Sequence, residues 1–197
     1  MIYTLLFFLS VGFTNSFGQI AEQSTDISPL LIGESIPETS LTNLKGEKVS
    51  TNDIFGQKPT VLVVYRGSWC PYCNRHLSAL AQAEDEIIAL GYQIVAISPD
   101  DYQNLQPTTE ENELKYQLYS DGDGSFIQQT GLAFKASKGT QKYISSKTIG
   151  KTTEILPVPA VFVLNKKAEI LFEYISPNYK VRMTKELLMA VLKSLEI

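Results

Sequence analysis

Cysteine, histidine and tryptophan are scarce: the 197 residues hold two cysteines, one histidine and one tryptophan. Two cysteines cannot make a disulfide-stapled miniprotein, and a chain this long buries a core without such staples. No collagen-like or low-complexity bias occurs, and a 44% hydrophobic content excludes a disordered chain. The apolar stretch Ile2–Phe13, interrupted by Thr4, Ser10 and Gly12, falls short of the about 20 residues that a membrane-spanning helix needs. A net charge of −4 argues against nucleic acid as the main partner. Length favours one domain, or a domain with an appendage.

What is present at the N-terminus has the layout of a secretory signal peptide. Ser16 and Gly18 supply the small residues expected before a cut at Gln19, although the segment ahead of the apolar stretch has no Lys or Arg. Residues 1–18 therefore read as a signal peptide, with membrane contact only through that segment before cleavage. They carry no charged side chain, so the net charge is the same after cleavage. The remainder is expected outside the cytosol, where disulfides persist; in a Gram-negative bacterium that means the periplasm or cell envelope. Residues 19–40 are polar, with scattered Ser, Thr, Pro and Glu, and read as a linker or N-terminal arm.

From residue 41 to 197 the patterning is that of one α/β domain with a mixed sheet. Lys45-Gly46-Glu47 marks a turn between two short β-prone pieces. Thr60–Tyr65 is a β-branched run of the kind covered on both faces. Asn74–Leu90 sets Leu77, Leu80, Glu84, Ile87 and Ile88 along one side of a helix, and Gly91 supplies its stop. Gln93–Ser98 is a second strand, so the pair should be parallel with a right-handed crossover. Thr108 and Glu111 resemble a capping box opening a helix to about Tyr116. A strand at Gln117–Tyr119 and a short helix at Ser125–Gly131 follow. Ala160–Leu164 and Glu169–Tyr174 form a hairpin, and Thr184–Leu195 a final amphipathic helix. Five lysines between 135 and 151, with no acidic residue from 124 to 153, read as a solvated insertion around 135–155, or as a docking surface for an acidic partner.

Both cysteines fall in Tyr65-Arg66-Gly67-Ser68-Trp69-Cys70-Pro71-Tyr72-Cys73, where the first parallel strand passes into its helix. Unpaired N–H groups and the positive end of the helix dipole favour a thiolate there. Pro71 suits the first helical turn, where its missing N–H costs nothing. Cys70 is expected to be the exposed nucleophile of low pKa and Cys73 the less accessible resolving thiol. A static disulfide spanning two residues is a poor staple. Zinc held by Cys70, Cys73 and His76 lacks a fourth ligand nearby. Covalent haem attachment needs His after the second cysteine, where Asn74 stands. A redox-active dithiol, needing no cofactor, is the reading that remains.

Trp69-Cys70-Pro71-Tyr72-Cys73 resembles the active-site motif of the thioredoxin fold. The longer pattern is similar to the peroxiredoxin-like branch of the AhpC/TSA redoxin superfamily. Tyr119-Ser120-Asp121 and Leu156–Leu164 extend the resemblance, which runs from about Leu41 to Leu195. It implies a thioredoxin-like fold, a central mixed sheet flanked by helices. It also implies a cis Pro159 facing the dithiol, with Val158, Pro159 and Trp69 touching substrate. Peroxiredoxins of the usual pattern carry Thr or Ser three residues before the reactive cysteine; here that residue is Gly67, flanked by Arg66 and Ser68. Arg66, Ser68 or Arg75 could support a Cys70 thiolate, and His76 reads as a solvated helix residue. The expected function is thiol–disulfide exchange, its partners being protein or small-molecule disulfides or thiols and a thiol reductant. Reduction of hydroperoxides is the alternative, and a redox-inert binding module on the same fold is an alternative of another class.

Overall fold

The computed structural model describes residues 20–150 and 154–195; the expected signal peptide, 1–18, and Lys151 lie outside them. Chain order begins with β1 (Ser40–Thr42) and β2 (Lys48–Ser50), antiparallel across the Lys45-Gly46-Glu47 turn, and α1 (Thr51–Phe55), capped by the Ser50 side chain. Then come β3 (Thr60–Val64), α2 (Pro71–Ala81), α3 (Glu84–Ala89), β4 (Gln93–Ser98), α4 (Leu105–Glu111) and β5 (Gln117–Ser120). After α5 (Ser125–Gln129), β6 (Ala133–Lys135), α6 (Lys138–Ser145) and β7 (Ile155–Pro157) make a satellite hairpin with a helix between its strands. The chain closes with the hairpin β8 (Ala160–Leu164) and β9 (Ile170–Ile175), then α7 (Lys185–Ser194).

Seven strands form one mixed sheet in the order β2-β1-β5-β4-β3-β8-β9. β3, β4 and β5 run parallel, and β8 pairs β3 antiparallel from Thr60↔Leu164 to Val64↔Ala160. The two-residue period of a strand sorts its side chains between two cores. Val61, Val63, Ile94, Ala96, Val161 and Val163 face the layer of α2, α3 and α7, while Leu62, Val64, Val95, Ile97 and Phe162 face α1 and α5. Burial on both faces is why β3 reads as an unbroken apolar run.

Several expectations need correction. The helix expected over Asn74–Leu90 breaks into α2 and α3 at Gln82–Ala83, where Ala83 donates to Leu80 O in a tightened turn. Nothing in local propensity demands that break. It turns Ile87 inward and leaves Ile88 54% exposed. The helix expected to start at Thr108 begins three residues earlier. Thr108 Oγ1 donates to Asn104 O inside α4 instead of capping it. Of the two readings of the segment before β1, linker or arm, residues 20–39 have the form of an arm: Ala21 bridges to Phe134, Ser35 to Glu169, and Ile36 is buried. The Lys-rich insertion contains a helix, α6, and most of its side chains are exposed. Ser137 caps α6 through Thr140 N–H, and Ile144 packs with Ala136 and Leu156 against Trp69. Among the described residues no helix is long and apolar enough to cross a membrane.

Candidate active site

The dithiol sits at the carboxyl ends of the parallel strands, beside the point where β3 has β4 on one side and the antiparallel β8 on the other. Crevices at such ends are where open α/β sheets bind ligands. β3 hands over to the site through Tyr65, whose N–H donates to Ile97 O at 2.9 Å. A tight loop, 66–69, then delivers Cys70 to the N-cap of α2, with Pro71 in the first turn as the sequence predicts. Asp100, two positions past the end of β4, fastens the loop: its Oδ2 accepts the Ser68 N–H at 2.6 Å. Asn74 Nδ2 donates to Ser68 O at 2.9 Å from the helix side.

Gly67 is required by this loop. Its φ of +141° is one that residues with side chains rarely adopt, and a Cβ would stand 2.4 Å from Trp69 Nε1 and 2.5 Å from Asp100 Oδ1. The absence of Thr or Ser at 67 thus has a local steric cause.

Cys70 and Cys73 are both unbridged thiols. The Cys73 side chain hydrogen-bonds the Cys70 sulfur, and this chiefly brings the Cys70 pKa down to about 6 against the opposing effect of burial. The Cys73 N–H and the Arg66 and Arg182 guanidiniums act in the same direction. Cys73 moves the other way: burial first, then the hydrogen bond and charge of Cys70, push it well above the usual thiol range. Cys70 is thus the thiol that ionises more readily, and Cys73 the one that keeps its proton. Cys70 is nevertheless buried, at 1% exposure, rather than exposed. The turn tucks it into the core layer under α2, and it borders a groove of about 440 Å³ lined with Arg66, Trp69, Tyr72, Tyr143 and Tyr179.

Of the other expected site residues, Trp69 and Arg66 stand at the groove, the Arg66 guanidinium lying 4.8 Å from the Trp69 ring centre and 4.4 Å from that of Tyr179. Ser68 holds Asp100 through both its N–H and its side chain. Arg75 lies over Tyr72 at 5.4 Å, on the far side of that ring's groove. Val158 and Pro159 do not line the groove at Cys70. Val158 is fully buried, its N–H donating to Leu132 O, and Pro159 borders a small cavity with His76, Arg182 and Met183. The expected cis peptide at Pro159 is not found, since every described peptide is trans. Hydrogen bonds at Val158 N and Pro159 O hold the segment extended between β7 and β8, and trans is the lower-energy isomer. His76 is buried rather than solvated, and burial, followed by the nearby Arg182 charge, lowers its pKa to about 4. Among the described residues no three of His, Cys, Asp and Glu gather as metal ligands.

Arg182 is the residue sequence reasoning missed. From the loop before α7, 109 positions away in the chain, its Nη2 donates to Cys73 Sγ at 3.5 Å. Asp100 was missed too; neither position has a local sequence signal.

Comparison with known proteins agrees with this geometry. The sequence model of the AhpC/TSA family matches residues 32–172. Peroxiredoxin Bcp of Escherichia coli is 29% identical over 106 residues, spanning 54% of this chain and 67% of that one. Thiol-disulfide oxidoreductase ResA of Bacillus thuringiensis is 25% identical, covering 99% of this chain and 94% of its own. The crystal structure of reduced Prx3 from Vibrio vulnificus in complex with hydrogen peroxide superposes with a TM-score of 0.72 at 18% identity, over 84% of this chain and 97% of that one, a likeness of fold. The thioredoxin-like sheet, the dithiol at its carboxyl edge and the matched family model make one case: the chain belongs to the AhpC/TSA family and is a thiol oxidoreductase.

Proposed function

We propose that the protein is an exported thiol–disulfide oxidoreductase in which Cys70 attacks and Cys73 resolves. The observation that carries exchange ahead of peroxide reduction is position 67. The backbone there has no room for a Cβ, and so none for a hydroxyl that would orient a peroxide. In the first step the Cys70 thiolate displaces one sulfur of the substrate disulfide. The substrate S–S bond breaks, a Cys70–substrate bond forms, and the departing thiolate takes a proton from water. Cys73 then gives up its proton to solvent and attacks the Cys70 sulfur, releasing the second substrate thiol. The substrate gains two electrons and the pair becomes a disulfide, which a thiol reductant restores. Formation of the mixed disulfide removes the Cys70 charge and hydrogen bond that hold Cys73 protonated, leaving the Arg182 guanidinium beside it to favour the second thiolate.

Peroxide reduction is the second reading, favoured by the similarity to peroxiredoxins. Cys70 would become a sulfenic acid, and Cys73 would condense with it, releasing water. Purified wild type, Cys70→Ser and Cys73→Ser, assayed for disulfide reduction and for hydrogen peroxide consumption, separate the two. The expected result is disulfide turnover by wild type, none by Cys70→Ser, and a trapped mixed disulfide on Cys73→Ser. Catalytic peroxide consumption without disulfide reduction would install the second reading. Neither activity, with Cys70 alkylating no faster than a free thiol, would overturn both. Export rests on the Ile2–Phe13 stretch with Ser16 and Gly18; intact mass of the protein recovered from the cell envelope should begin at Gln19.

A further inference from the structure

Beside the dithiol groove lies a second of about 380 Å³, and the two share Tyr72 as a wall. Each falls in the range of about 300–1,000 Å³ that holds small ligands rather than a folded partner. A row of stacked groups joins them: Arg66 over Tyr179, Tyr179 edge-on to Tyr72 at 5.7 Å, and Arg75 over Tyr72.

The second groove is basic. Arg75, Lys180, Arg182 and Lys185 line it with one acid, Glu186. Lys185 is paired with Glu86 at 2.7 Å, whereas Arg75, Lys180 and Arg182 have no carboxylate partner among the described residues. His76 also lines it, is 8% exposed, and keeps Nε2 without a hydrogen-bond partner. The chain segregates its charge to match. None of its 21 acidic residues falls within 54–83, 124–153 or 174–185, the segments that supply every lining residue of both grooves except Glu186, although the whole carries −4.

We propose that the substrate is a small disulfide bearing carboxylate groups: one sulfur meets Cys70 in the aromatic groove, and a carboxylate seats against Arg75 and Lys180 in the groove beyond Tyr72. This deepens the exchange reading and rests on it. Aromatic walls at the sulfur end accept the apolar part of such a molecule. The fixed cations at the other end select its charge and speed its arrival.

Three symmetrical disulfides with the same two-carbon arms test it: 3,3′-dithiodipropionate with two carboxylates, bis(2-hydroxyethyl) disulfide with none, and cystamine with two ammonium groups. Binding is read on the Cys70→Ser/Cys73→Ser protein from the fluorescence of Trp69, the only tryptophan and a wall of the groove. The expected result is a saturable response to dithiodipropionate and none to cystamine, weakened about fivefold by Lys180→Glu and eroded by salt. In the wild type, the ratio of kcat/KM for dithiodipropionate to that for the neutral disulfide should fall by a similar factor in Lys180→Glu. Equal binding of the anionic and cationic probes, or no binding of either, would overturn the proposal. Binding of dithiodipropionate with no turnover of any disulfide would leave the anion groove standing and overturn the exchange reading instead.

Discussion

At the scale of single residues, the site depends on what Gly67 lacks and on what Cys73 gives to Cys70. A methyl group at 67 would meet Trp69 Nε1 and Asp100 Oδ1 inside contact distance at a left-handed φ. Gly67→Ala should therefore lower the stability of the folded chain by about 2 kcal/mol or more, read as a lower denaturant midpoint at unchanged slope. The dithiol makes a pH prediction. Because the folded Cys70 pKa is about 6, its alkylation by iodoacetamide should climb as pH rises through 6 and level off well below the range of an ordinary thiol. The same depression acts on stability. The Cys70 contribution is complete above the unfolded thiol pKa and is lost as pH falls through about 6. Reduced wild type should thus melt increasingly higher than Cys70→Ser as pH rises across that window; a constant difference would mean that the sulfur is not held as a thiolate.

Among elements, α7 does more than cover α2. The loop leading to its first turn carries Arg182, and Thr184 caps it by accepting the Leu187 N–H at 3.2 Å. Thr184→Ala should cost about 1 kcal/mol of stability in a thermal melt. The response of Cys73 tests the connection: slackening the loop that aims Arg182 should slow release of the mixed disulfide more than its formation, a difference that single-turnover kinetics resolves. Elements differ in how plainly their sequences announce them. β3, β4, β8 and α7 were legible because their apolar period or their cap is complete within the segment. α6 was not, having one fully buried apolar residue, Ile144, among lysines. The bend between α2 and α3 has no breaker residue to announce it. In the site, Cys70, Pro71 and Cys73 were legible because the helix N-terminus sets their chemistry locally. Arg182, Asp100 and the burial of His76 depend on chain that returns from far away, and no nearby pattern encodes such a return.

For the whole molecule, the arrangement of strands sets where the chain yields first. β3 is flanked by paired strands on both sides and its five residues are fully buried, whereas β2 and β9 are edges. In native-state hydrogen exchange the amides of Val61–Val64 should be among the last to exchange, and those of the loop 66–69 far earlier. Loop amides exchanging as slowly as β3 would show that the two open together. The loop that carries Cys70 therefore begins two positions beyond Val64, the last residue of a strand buried along its whole length. In the proposed exchange the sulfurs change partners at the rim, while the strand beneath keeps its pairing with β4 and β8. Under that reading the chemistry is confined to the rim of the sheet, away from the pairings that bury β3.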